Sequence, residues 1–186
     1  MTLLILGLLL WAGAHLVKRL TPGARAALQD KMGDGSKGLI AGLILLSVVL
    51  MVLGYRSADG AVYWGRTGAM VGINNLLMVV AVALFGVGNS KSRLRGKMRH
   101  PMLTGLIVWG VAHLLVNGDV ASFVLFGGLI AWALLEMILV NRAEHEYVPY
   151  DGGSRAGDIR LAVITLVVYA VISAIHWWLG YVPFGA

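Results

Sequence analysis

The chain of 186 residues contains no cysteine, which excludes a disulfide framework, a thiolate metal site and a cysteine nucleophile. Charge is nearly as scarce. Asp, Glu, Lys and Arg make up only 13% of the residues, where a soluble domain carries about a quarter. With 59% hydrophobic residues, so few charges cannot cover a water-facing surface. Acidic groups are the rarer sign, nine against fifteen Lys and Arg, for a net charge of +6. A basic excess can mark a nucleic-acid surface. Here, however, the cations are confined to short segments between apolar runs, which is a membrane pattern. No phosphate-binding loop, dinucleotide fingerprint, or serine or metal hydrolase motif is present. We expect the lipid bilayer as partner and no nucleic acid.

What the chain does have is long apolar stretches. A spanning helix needs roughly 20 predominantly apolar residues. Six segments reach or approach that, at about Thr2–Val17, Gly38–Tyr55, Thr67–Gly88, Met102–Val116, Val120–Val140 and Leu161–Tyr181. The fourth is short. The runs are continuous rather than alternating, so strands are not expected. The sequence therefore predicts an all-α, polytopic membrane helix bundle of about six transmembrane helices in a single domain, residues 1–186. Lys18 and Arg19 follow the first apolar run instead of preceding it, so we read that run as a retained helix and not a signal peptide. Thirteen of the fifteen Lys and Arg fall in the first, third and fifth loops, and only Arg56 and Arg66 on the other side. By the positive-inside rule those three loops are cytoplasmic and both termini periplasmic, in a bacterial cytoplasmic (inner) membrane. Gly38 and Gly42, like Gly68 and Gly72, have the spacing that lets helices approach closely. We expect this to serve packing inside one bundle.

An ionisable group inside a bilayer is costly and is a functional candidate for that reason. His15, His113 and His176 lie within apolar runs. Around two of them the local sequence repeats: Trp11-Ala-Gly-Ala-His15-Leu and Trp109-Gly-Val-Ala-His113-Leu. A tryptophan four residues before a histidine shares its helix face one turn away. Two inverted three-helix halves would account for the repeat, and chance matching among Leu- and Ala-rich segments accounts for it equally. Two neutral imidazoles facing each other in a helical bundle suit a haem iron. His15 and His113 lie at different depths along their helices, so His100 or His176 is the alternative to one of them. A packing role suits either imidazole alone. No carboxylate or thiolate near either histidine completes a non-haem metal set.

Other polar features are Arg99-His100-Pro101 at the start of the fourth helix and Asn117-Gly118-Asp119 at its end. The first places two basic groups beside a helix N-terminus, where an anion is favoured, although charge that sets topology is the plainer account. The second suits a tight structural turn. Asn74 and Asn75 are expected to bond between helices. Glu136 has Arg142 within reach as an ion-pair partner. The polar segment 141–160, with Pro149, Gly152 and Gly153, is expected to be a loop.

The run Arg99-His100-Pro101-Met-Leu-x-Gly105 through Trp109-x-x-x-His113-Leu-Leu-x-Asn117-Gly118-Asp119 resembles the NnrU family. So do the first helix with His15, the basic loop around Pro22-Gly23 and the Lys37-Gly38 start of the second helix. The resemblance covers most of the chain up to about Arg142. It implies a role accessory to denitrification, the reduction of nitrite and nitric oxide, with a respiratory protein as a candidate partner. The family is in turn similar to 15-cis-ζ-carotene isomerase, a membrane haem b protein, and the positions matching its haem ligands are His15 and His113. That similarity implies haem b as cofactor, with Trp11 and Trp109 beside the ligands. It also raises an alternative, a haem-dependent cis–trans isomerase acting on a lipophilic, carotenoid-like polyene. A more distant resemblance is to isoprenylcysteine carboxyl methyltransferases, through Arg99, His100, Pro101 and Gly105. It implies a second alternative, an S-adenosylmethionine-dependent membrane methyltransferase. That pattern fails at Leu103 and lacks a C-terminal signature.

Overall fold

In the computed structural model, which describes residues 1–185, helix dominates the chain. The elements in order are α1 (Thr2–Leu20), α2 (Pro22–Met32), α3 (Gly35–Arg56), β1 (Val62–Trp64), α4 (Gly68–Val87), a 3-10 turn (Arg93–Lys97) and α5 (Pro101–Val116). There follow β2 (Gly118–Asp119), α6 (Val120–Ser122), a π-helical turn (Phe123–Gly127), α7 (Gly128–Ala143) and α8 (Arg155–Trp178). From α6 to α7 the chain is one 24-residue helix, Val120–Ala143. Among the described residues five helices are long and apolar enough to span a bilayer, and α5 is the sixth, shorter apolar helix. Their outward positions are apolar, as at Leu45 and Leu76, each about two-thirds exposed. Lipid tolerates that because the helices satisfy their own backbone.

The chain divides into two compact units. One holds Met1–Val62 and Asp119–Ala143; the other holds Tyr63–Gly118 and the chain from Glu144 on. Each contains three apolar helices, but these are not the consecutive triplets of an inverted repeat. The first unit takes the first, second and fifth spans, and the second takes the third, fourth and sixth.

In the first unit α1 and α3 run antiparallel at close range. A Cβ at Gly54 would overlap the backbone of Leu4, and one at Gly7 would meet Met51 and the Ser47 carbonyl. These glycines are what allow the approach. The expected pairs are not: nothing lies within 4 Å of a Cβ added at Gly38, Gly42, Gly68 or Gly72. Helical spacing alone does not say which face a neighbour will take. The first loop also holds a helix that hydropathy did not mark, α2. Pro22 at its first turn presets the backbone, and alanines continue it. It is held by Ser36 Oγ, which donates to Gln29 Oε1 at 2.6 Å, and by Arg25, which donates to both groups.

In the second unit α4 packs antiparallel to α5 and to α8. Gly105 lies against the Ala81 carbonyl and Gly86 against Leu161. Asn74 Nδ2 donates to the Ala112 carbonyl at 2.7 Å, as expected between helices, and Asn75 Nδ2 donates to the Pro183 carbonyl at 3.1 Å. The segment from Lys91 to Pro101 and the loop before α8 are bound together. Ser154 N–H donates to the Lys91 carbonyl at 3.0 Å, and Gly157 sits where a Cβ would strike that carbonyl. Asp158, in the first turn of α8, accepts from Ser92 Oγ (2.7 Å), Arg93 N–H (2.9 Å) and Arg93 Nε (2.6 Å).

Two short strands, β1 and β2, pair at the ends of the apolar helices, where none was expected. They are too short to leave an alternating pattern. Gly118 is required there, since a Cβ would enter the Trp64 ring.

Candidate functional site

In the first unit the Trp11–His15 spacing on α1 does what one helical turn predicts. The two rings lie 4.2 Å apart between centroids, tilted by 36°. Trp132 of α7 completes a triangle of rings, 4.9 Å from the imidazole and 5.4 Å from Trp11, edge-on to both. Trp132 was not marked in the sequence. Its link to His15 runs through space between helices far apart in the chain, and no local spacing signals it. His15 Nδ1 is 2.8 Å from the Trp11 carbonyl. A carbonyl only accepts, so Nδ1 carries a proton and is the donor in that contact. Three polar atoms in this unit are buried without a hydrogen-bond partner among the described residues: Trp11 Nε1, Trp132 Nε1 and Glu136 Oε2. The pairing of Glu136 with Arg142 is therefore not made. Glu136 is one turn beyond Trp132 on α7 and is held within the unit, whereas Arg142 is exposed.

In the second unit Trp109 and His113 on α5 repeat the arrangement, with centroids 4.7 Å apart and planes at 46°. His113 Nδ1 donates to the Trp109 carbonyl at 2.8 Å. Asn117 Nδ2 donates to the His113 carbonyl at 2.8 Å and closes the end of α5. His176 makes the same backbone bond, to the Ile172 carbonyl at 2.8 Å. The Nδ1 bond is thus common to the three intrahelical histidines, while the indole four residues earlier is confined to His15 and His113.

Asp119 has a structural role in the first unit. Its carboxylate caps α6, accepting from Ser122 N–H at 2.9 Å and from Ser122 Oγ at 2.7 Å. The one hydroxyl proton of Ser122 is used there. Tyr55 OH, 2.8 Å from Ser122 Oγ, is therefore the donor in that contact.

At the basic end of the second unit, Pro101 occupies the first turn of α5 and His100 precedes it, its carbonyl accepting from Thr104 Oγ1 at 2.8 Å. Arg99 donates to the Glu144 carbonyl and lies over the Tyr147 ring, 5.4 Å from its centroid. Arg95 lies over Tyr150 at 4.3 Å, and Tyr147 OH donates to the Met98 carbonyl at 3.1 Å. These side chains surround a recess of about 250 Å³ that includes Arg99 and Pro101. Within it Arg99 is engaged in holding the polar loop.

A family model described as NnrU protein matches residues 3–184. No curated protein and no solved structure matches the chain.

Proposed function

Because the chain belongs to the NnrU family, we propose that it is a haem b-binding protein of the bacterial cytoplasmic membrane, accessory to nitrogen-oxide metabolism, with His15 and His113 supplying imidazole ligands. The observation that carries this reading is that each ring lies beside an indole one turn back and gives Nδ1 to a backbone carbonyl. Nε2 is then the nitrogen that an iron would take. A ligating histidine ordinarily gives its other N–H to a backbone carbonyl or carboxylate, which fixes the ring and raises its basicity. Both rings have that second bond, at 2.8 Å. Around His15 the donor set also suits a polar-edged group, because two buried indole N–H groups lack acceptors. Bound haem supplies an iron whose response to small ligands follows its axial groups and the polarity around it. The protein residues do the rest. The backbone of α1 and α5 orients the imidazoles, Trp11, Trp132 and Trp109 limit their rotation, and the apolar helix faces exclude water.

The test is the absorption spectrum of the purified protein after expression with ample haem. A Soret band is expected, together with reduced bands that shift on adding nitric oxide. His15→Ala and His113→Ala are each expected to lose or shift those bands, and His176→Ala, which lacks the indole partner, to leave them unchanged. Absence of a Soret band would overturn haem binding. Bands indifferent to nitric oxide, in a strain whose denitrification survives deletion of the protein, would leave the isomerase-like alternative ahead.

A further inference from the structure

A second site lies apart from the histidines, at the basic end of the second unit. A groove of about 650 Å³ opens there between α4, the 3-10 turn and α8, within the roughly 300–1,000 Å³ range of ligand sites. Val79 and Ala83 of α4 and Leu161, Ala162 and Leu166 of α8 make its walls apolar. Its mouth is polar and carries Ser92, Arg93, Lys97 and Asp158. The charges there do not cancel. Asp158 is saturated by Ser92 and Arg93. Arg93 meets it through Nε, with a side chain 64% exposed. Lys97 forms no ion pair among the described residues, so one cation is left over.

Inside the groove is Thr165, only 4% exposed, whose hydroxyl has no hydrogen-bond partner among the described residues. A threonine within a helix usually turns its hydroxyl onto the carbonyl four residues back. This one does not, and it is a buried donor with nothing to accept from it. Thr165 is four residues beyond Leu161, hence about 6 Å deeper along α8.

We propose that this groove binds an anionic glycerophospholipid of the surrounding leaflet, its phosphate at Lys97 and Arg93, an ester carbonyl at Thr165 Oγ1 and an acyl chain between α4 and α8. Along α8 the groove runs from the charged mouth at Asp158 past Leu161 and Ala162 to Thr165 and Leu166. It thus offers a cation at the membrane face and, deeper, a hydroxyl donor set in apolar walls, which matches a lipid's headgroup outside and its ester and chain within. A free phosphate would use only the mouth and leave Thr165 unsatisfied.

Native mass spectrometry of the full-length protein in detergent tests this, with phosphatidylglycerol and phosphatidylcholine of identical chains added in turn. Preferential retention of phosphatidylglycerol is expected. Lys97→Gln is expected to reduce it by about fivefold, as for one cation near an anionic headgroup. Thr165→Val, which keeps the shape and removes the donor, is expected to weaken retention of both lipids. Lys91→Gln, on the same segment but not lining the groove, is the control and is expected to change nothing. Equal retention of the two lipids by the unaltered protein would overturn the proposal. So would equal losses in Lys91→Gln and Lys97→Gln, or full competition by inorganic phosphate. Helicity measured on each variant separates lost binding from lost folding.

Discussion

Trp132 carries more of the first unit than its place on a lipid-facing helix suggests, because it joins α7 to both aromatic groups of α1. Trp132 is half-buried, so its truncation is expected to cost somewhat less than the about 3–5 kcal/mol of a fully buried tryptophan. Trp132→Ala is therefore expected to lower the unfolding midpoint in a denaturing-detergent titration. Trp132→Phe keeps most of the ring and removes an N–H that has no acceptor. Leaving such a donor buried costs about 1–3 kcal/mol, so the haem-free phenylalanine variant is expected to match or exceed the unaltered protein. Asn74→Ala removes a bond between helices and is expected to cost about 1 kcal/mol in the same titration. Part of this was legible in the sequence. The stacking of Trp11 on His15, and of Trp109 on His113, follows from four-residue spacing alone. Trp132 was hidden because its partners are distant in sequence, and the anchoring of Arg99 to the Glu144 carbonyl was hidden because backbone acceptors leave no trace in residue type.

At the level of elements, hydropathy located all six apolar helices to within a few residues at most ends, the largest error being at the start of α8. That helix begins at Arg155, before its apolar run, because Ser154 caps it: Ser154 Oγ accepts from Gly157 N–H at 3.0 Å. The helix-packing glycines were misplaced. Spacing singled out Gly38, Gly42, Gly68 and Gly72, whereas close approach occurs at Gly7 and Gly54. The two sets respond differently to substitution. Gly54→Ala places a methyl on the Leu4 backbone and is expected to destabilise by about 1–3 kcal/mol as α1 and α3 are forced apart. Gly42→Ala meets open space and is expected to stabilise α3 by up to about 1 kcal/mol through helix propensity. Thermal midpoints of the two purified variants check both, and a Gly42→Ala midpoint well below the unaltered protein would show that its face is covered in the membrane. The π-helical turn at Phe123–Gly127 could not have been read from composition, because its residues differ little from those of the helix around it.

For the whole molecule, the distribution of Lys and Arg predicts an orientation. Thirteen of the fifteen lie in or at the helix ends flanking the first, third and fifth connections between spans, so a reporter fused after the last helix is expected to be active only in the periplasmic form. Replacing the five cations between Lys91 and Arg99 with glutamine is expected to yield mixed orientation in the same assay. The interleaved division of the chain has a consequence for the timing of synthesis. The first unit needs α7, so it cannot close until about residue 143 has left the ribosome, and by then α4 and α5 have already been synthesised. Until that moment α1 and α3 form an open pair, with Trp11 and His15 turned toward a place still without Trp132. A nascent chain arrested near Asn117 should therefore expose that face to lipid-soluble photo-crosslinkers, and one released after Ala143 should protect it. Native-like order in the first unit is thus acquired late and at long range. An insertion machinery able to hold two unfinished helices is the natural companion of such a chain.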